Sequence, residues 1–222
     1  MKLFFLSFLL IISFSSFAQN GDLGFDKVLF SVGLSNLSDN NLFEQDLSYN
    51  DIYKVSNLAY SFDLSIPIYH ITDEMSAVLN GFYDIGGVNT NIKIQSYGLG
   101  CGMDYVLVNS DKYELMLSIG GGYLFHGFEL YDVDKIEGSK IDSNILGNNS
   151  QIDFKQSFIA YSTFGAYNEY HFNNKLSLFG LIKIRWDYGK SDKYLIDNRE
   201  ITLYPYSLNK LYLGLGLKFI IF

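Results

Sequence analysis

Apolar and polar residues alternate one by one along much of this chain. Between Leu58 and Ile68 one set reads Leu58, Tyr60, Phe62, Leu64, Ile66 and Ile68, and the intervening set reads Ala59, Ser61, Asp63, Ser65 and Pro67. Successive side chains of a strand point to opposite faces, so a period of two predicts a strand with one apolar side. A helix would scatter both sets around its circumference. Pro67 is best tolerated near the strand's end. The same alternation predicts strands around Val28–Leu34, Tyr97–Leu107, Tyr113–Phe125, Leu178–Tyr188 and Leu211–Ile221. Two more are expected from spacing, about Ser76–Ile85 and Phe158–Phe172. In the second, Phe158, Ala160, Phe164 and Tyr170 are expected on one face and Tyr161, Glu169 and His171 on the other. The expected total is eight strands.

The connections alternate in length. Ile71–Glu74, Asn109–Lys112 and Asn173–Lys175 are short and turn-like, whereas Asn36–Lys54, Gly86–Asn91, Gly127–Lys155 and Gly189–Ser207 are mostly longer. Tight turns at one end and long loops at the other are the pattern of an outer-membrane barrel, and an even strand count puts both termini on the periplasmic side. The long links carry much of the acid: Asp39, Glu44, Asp46 and Asp51 in the first, and Glu129, Asp132, Asp134, Glu137, Asp142 and Asp153 in the third. These read as solvated loops, with cation bridging to lipopolysaccharide as a further option.

An eight-stranded barrel can also be soluble with its apolar face inside. The opposite face decides between the two. A water-facing surface needs long polar side chains, yet that face is mainly Gly, Ser and Ala, as in Gly98, Gly100, Gly102, Gly120, Gly122, Gly214 and Gly216. Small residues suit the narrow interior of eight strands. The apolar face carries no charge at mid-strand, where Lys or Arg facing lipid costs about 2–4 kcal/mol; Lys93 and Gln95 fall on it only near a strand's outer end. Tyr69, Tyr105, Tyr113, Tyr123 with Phe125, Tyr170 with Phe172, and Trp186 with Tyr188 gather at strand ends, as membrane-interface girdles do. The pattern therefore predicts an all-β, eight-stranded antiparallel up-and-down transmembrane β-barrel. The inward charges Asp63, Asp104, Glu114, Glu169, Lys183, Arg185 and Lys218 are expected to form a lumenal salt-bridge network, because a buried charge is costly unless paired. A charged ion path is the competing reading.

Composition adds compartment and exclusions. Lys2, an apolar run from Leu3 to Phe14 broken only by Ser7 and Ser13, and the small residues Ser16 and Ala18 flanking Phe17 describe a cleaved signal peptide over residues 1–18. The barrel domain is then expected over 19–222. The apolar run is too short for a spanning helix. The remaining chain carries 15 basic against 24 acidic residues, which argues against nucleic-acid binding. One cysteine, Cys101, excludes an internal disulfide and a cysteine-based zinc site. Two prolines and one tryptophan beside 18 tyrosines and 19 phenylalanines favour an all-β chain.

The segment Leu211-Tyr212-Leu213-Gly214-Leu215-Gly216-Leu217-Lys218-Phe219 resembles the closing strand of small outer-membrane β-barrel proteins, the porin-like, OmpA- and OmpX-type group. The resemblance implies an outer-membrane location and an assembly signal, a terminal aromatic read by the barrel-assembly machinery. Phe219 is in phase with the leucines and Phe222 ends the chain, so these two are the candidates. Some barrels of this size are lipid-modifying enzymes or proteases, which need a nucleophile or activated water beside a base. His126, with Ser157, Ser162 or Asp187 near it, is the candidate here, but the His-x-Ser spacing of a lipid A deacylase is missing. His70 and His171 are expected at the opposite end. No metal-ligand cluster or phosphate loop appears, and no cofactor is expected. The sequence thus points to a monomeric barrel, its partners the outer-membrane lipids and lipopolysaccharide. Its role would be structural or adhesive through external loops. A narrow pore for small solutes and a lipid-modifying enzyme are the alternatives.

Overall fold

The computed structural model describes residues 27–37, 58–86, 92–131, 151–188, 193–196, 199–202 and 210–220. The signal-peptide segment, Phe222 and the acids Asp39, Glu44, Asp46, Asp51, Asp132, Asp134, Glu137 and Asp142 lie outside them. The chain is all-β, with ten strands among the described residues: β1 Lys27–Leu37, β2 Leu58–His70, β3 Met75–Gly86, β4 Ile92–Asn109, β5 Tyr113–Tyr131, β6 Gln151–Asn173, β7 Leu176–Tyr188, β8 Lys193–Ile196, β9 Arg199–Thr202 and β10 Lys210–Ile220. Each strand from β1 to β6 pairs antiparallel with the next, β7 pairs with β10, and β10 returns to β1. Eight strands therefore close on themselves and leave no free edge, as a spanning sheet requires.

The register fixes the barrel's girth. Starting at Ser177 on β7, paired residues run through Lys218, Leu29, Ser65, Asn80, Gly100, Gly122 and Tyr161 and return to β7 at Asp187, ten positions further on. Eight strands with a stagger of ten tilt by about 45° and enclose a space that side chains can fill.

The outer face is apolar and exposed. Leu99 is 76% exposed, Leu215 64%, Tyr60 58%, Ile119 56% and Leu213 54%. Aromatics mark both margins of this belt. Tyr83, Tyr97, Tyr123, Trp186 and Tyr188 stand at one margin, and Tyr105, Tyr113, Tyr170 and Phe172 at the other. Tyr97 stacks on Phe125 at 5.1 Å, and Tyr113 meets Tyr170 edge-on at 5.2 Å. The belt faces lipid, since water would not solvate so large an apolar surface.

The turns at the second margin are short, and each is closed by a polar side chain. Thr72 Oγ1 accepts from the backbone N–H of Glu74 and Met75, Ser110 Oγ from that of Tyr113, and Asn173 Oδ1 from those of Lys175 and Leu176. These are the side-chain-capped turns that such residues favour.

At the other margin the expected loop boundaries need correction. Both ends of the Gly127–Lys155 stretch are strand, because β5 runs to Tyr131 and β6 begins at Gln151. Gly189–Ser207 contains the hairpin β8–β9. That hairpin keeps the register of β7 and β10: Lys193 opposes Thr202 as Lys210 opposes Arg185. It therefore prolongs the β7–β10 hairpin upward, and Leu195 pairs with Lys155 of β6. The result is a lopsided rim, tall along β4, β5, β6, β8 and β9. Above the aromatic margin the chemistry of the two faces inverts. Lys93, Glu129, Asp153, Lys155 and Lys193 point outward, while Phe128, Phe154 and Tyr194 point inward and are buried. Water, not lipid, surrounds this part of the wall, so polar residues occupy its outside.

Candidate functional site in the barrel lumen

Inward positions alternate with the lipid-facing ones, and the register brings their charges together. On β7, Lys183 and Arg185 face across the lumen to β2 and β3. Lys183 Nζ pairs with Asp63 Oδ1, and Arg185 Nη2 donates to Asp84 Oδ2 at 2.6 Å. Lys210, at the top of β10, also pairs with Asp84 Oδ2, and Ser61 donates to its other oxygen. The Arg185 guanidinium lies 3.8 Å from the centre of the Phe82 ring, a cation–π contact, and Tyr161 meets the same ring edge-on at 5.4 Å. This upper cluster is almost dry: the side chains of Asp84, Arg185 and Lys210 are 4%, 6% and 3% exposed.

A second cluster sits near the short turns. Lys218 Nζ lies 2.7 Å from Glu169 Oε1 and 3.6 Å from Glu114 Oε1. Glu114 and Glu169 are directly opposed on β5 and β6, an arrangement that repels without the lysine between them. His171 Nδ1 adds a contact of 3.0 Å to Glu169 and a hydrogen bond of 2.8 Å to Ser177. Asp104 is hydrogen-bonded to Ser118 and has no ion pair among the described residues. It shares a small cavity with Lys27 and Lys218. An apolar layer of Leu29, Met116, Tyr167, Phe179, Leu181 and Tyr212 lies between the two clusters.

Of the seven charges read as lumenal from sequence, six thus form ion pairs and Asp104 stands apart. Asp84 and Lys210 were not among them, yet they organise the upper cluster. Phe219 is exposed on the lipid face, in register with Val28.

Lumenal glycines make room for rings. A Cβ on Gly98 would lie 2.4 Å from the Phe82 ring, and one on Gly216 would lie 2.3 Å from that of Phe179. Between them the side chains leave little space. The cavity beside Asp84 and Arg185 offers about 20 Å³ for the centre of a water molecule and the one beside Asp104 about 10 Å³. Each space is no more than water-sized.

The histidines do not converge. His126 is buried inside the barrel and hydrogen-bonded to Ser96 Oγ at 2.9 Å. Ser96 opposes Asp84 on its other side, so the serine sits between acid and base, whereas a catalytic triad needs the histidine in the middle. Ser162, a sequence candidate, faces outward and bonds Tyr188 at 2.8 Å; the Ser157 side chain is outside the described residues. His70 bonds Ser76 at 2.8 Å beside a short turn.

No protein-family model matches the chain, and no curated protein matches it in sequence. Solved structures do. Neisserial surface protein A, NspA, superposes with a TM-score of 0.55 over 88% of this chain and 96% of its own, at 9% identity. Ail, the attachment invasion locus protein of Yersinia pestis, gives 0.45 over 87% and 99% at 11% identity. The N-terminal β-barrel domain of Pseudomonas aeruginosa OprF gives 0.40 over 90% and 98% at 12% identity. The likeness to NspA rests on the closed barrel described above, and in fold the chain is an eight-stranded β-barrel of the small outer-membrane type.

Proposed function

We propose that this chain is an integral outer-membrane protein with a closed lumen, acting through its surfaces outside the membrane as a structural barrel that presents its external loops to ligands. The filled cross-section carries this reading. Phe82, Tyr161, Lys183, Arg185 and Lys210 meet at one level, and the gaps beside them are water-sized. Conduction would require breaking two ion-pair clusters and parting an aromatic layer. The tall rim along β4–β6, β8 and β9 carries the wall itself above the lipid belt. Outer-membrane lipids and lipopolysaccharide are the proposed surroundings, the barrel-assembly machinery the insertion partner, and the exposed aromatic Phe219 the assembly signal.

Planar-bilayer recording of the refolded protein tests the closed lumen. The expected trace is silent; persistent single-channel openings would establish the pore reading instead. Protease treatment of intact cells tests orientation, and cleavage within 132–150 without lysis is expected.

A further inference from the structure

The lipid belt is not uniform. Among the described residues, its positions between the two aromatic margins hold a single carboxamide, Asn168 on β6. That side chain is exposed and has no hydrogen-bond partner among the described residues. A polar group facing hydrocarbon unpaired is costly, so it calls for a partner from outside the chain. Asn168 stands one outward position above Tyr170, which belongs to the margin beside the short turns. At that depth the ester groups of a phospholipid lie, between headgroup and hydrocarbon.

A shallow groove rises from Asn168 across four strands. Its lower wall is a row of direct partners, Asn168, Gly180, Leu215 and Val32. Its upper wall is the next outward row, from Ala166 through Ile182 and Leu213 to Leu34. Gly180 leaves a gap in the lower wall, since a Cβ there would meet nothing within 4 Å. The stagger of the barrel sets the slope. Three strand spacings of about 4.8 Å, inclined at about 45°, raise the groove by about 10 Å from Asn168 to Val32. Half of a barrel's apolar band is about 12 Å. The groove therefore spans about one leaflet, with its polar group at the interfacial end. At the foot of β6 the flanking turns carry the exposed lysines Lys112 and Lys175. Lys112 follows Asp111, whereas the Asn173–Lys175 turn holds no carboxylate.

We propose that this groove holds one phospholipid of the leaflet at the short-turn end. An acyl chain lies along the groove, an ester carbonyl accepts from the Asn168 amide, and the phosphate faces Lys175. The site is on the outer wall and stands whether or not the lumen conducts. A second copy of the chain fits this face less well. A two-fold axis along the membrane normal would set the two sloping grooves crosswise, so that their walls meet only where they cross.

The test refolds the full chain in detergent with phosphatidylglycerol, and native mass spectrometry counts the lipid each chain keeps on release from the micelle. One phospholipid per chain is expected. Gly180→Leu puts a side chain into open space, which blocks the groove without disturbing the wall, and the retained lipid is expected to be lost. Asn168→Leu removes the amide and is expected to weaken binding about fivefold, the worth of one hydrogen bond. Diacylglycerol, which has the same esters and chains but no phosphate, is expected to be kept less than phosphatidylglycerol. Heat-modifiable gel migration checks that each variant folds, and the two variants act on different strands, so either decides alone. Retention by either variant equal to that of the parent would overturn the site. Dimers of the parent that disappear in Gly180→Leu would overturn it too, and would assign the face to a second copy.

Discussion

Replacing Asp84 by asparagine tests the idea that the lumen is held by paired charges. The change is nearly isosteric, so no cavity opens and the loss is electrostatic. Asp84 holds Arg185 at 2.6 Å and Lys210 as well, and all three side chains are at most 6% exposed. Taking away one partner of a buried pair leaves an uncompensated charge and costs about 3–5 kcal/mol. Here two cations lose the same carboxylate, so the upper end of that range is expected. Lys193 and Glu200 form the natural control. They pair at 2.7 Å, but their side chains are 60% and 54% exposed, and such a pair contributes about 0–1 kcal/mol. The assay is guanidinium unfolding from lipid vesicles, followed by the fluorescence of Trp186, the chain's single tryptophan, which stands 40% exposed at the belt's margin. Glu200→Gln should leave the midpoint unchanged. Asp84→Asn should lower it by the full cost, and adding Lys210→Met should recover part by removing one stranded charge. If Asp84→Asn costs no more than Glu200→Gln, the reasoning fails.

Three other substitutions probe separate parts of the barrel. Gly216→Ala is expected to destabilise by about 1–3 kcal/mol, because the new Cβ would sit 2.3 Å from the Phe179 ring. Gly180→Ala, whose Cβ would meet nothing within 4 Å, should fall within about 0.5 kcal/mol of the parent in the same unfolding assay. Leu215→Arg puts a charge at a lipid-facing position that is 64% exposed and should cost about 2–4 kcal/mol in vesicles; an unchanged stability would mean that this face does not meet lipid. Tyr194→Ala removes the ring that packs on Phe128 at 5.5 Å. Limited proteolysis should then cut the β8–β9 hairpin faster while the barrel's unfolding midpoint holds, since the hairpin stands above the belt.

Much of this fold is written in the period-two pattern, because a sheet between lipid and a narrow lumen must change chemistry at every residue. Six strands alternate clearly for that reason. The strand β3 is harder to read. Its inward set, Val78, Asn80, Phe82 and Asp84, mixes apolar with polar, and so does its outward set of Leu79, Gly81 and Tyr83. Asp84 is hidden by that ambiguity, and Lys210 by its place at the edge of a long link. The tall rim escaped for a different reason. Phe128 and Phe154 stack at 4.3 Å on the inward face, whereas below the belt's margin the inward face is mostly small or polar. A pattern sought in one polarity breaks where the surrounding solvent changes from lipid to water, although the strand itself continues.

Which inward charges meet is a separate matter, and alternation is silent about it. Asp63 and Lys183 stand on strands that never pair, and they meet only because a stagger of ten lifts β7 relative to β2. The same stagger gathers Lys183, Arg185 and Lys210 with Asp63 and Asp84 above the apolar layer, and Asp187 is buried two residues further up β7 on the same face. Below it, Asp104, Glu114 and Glu169 face Lys27 and Lys218, three carboxylates with two cations. An apolar layer with two tyrosines and a phenylalanine stands between the two clusters. A continuous channel would need that layer to be wet and the charges to be mobile, and every ion pair here is anchored to strands that the closed sheet holds in register. The glycines complete the device. Opposite Phe82 and Phe179 they bring backbone close enough for a ring to fill the bore, so the small residues of the inner face, which on their own would leave a pore, are what allow the large ones to shut it.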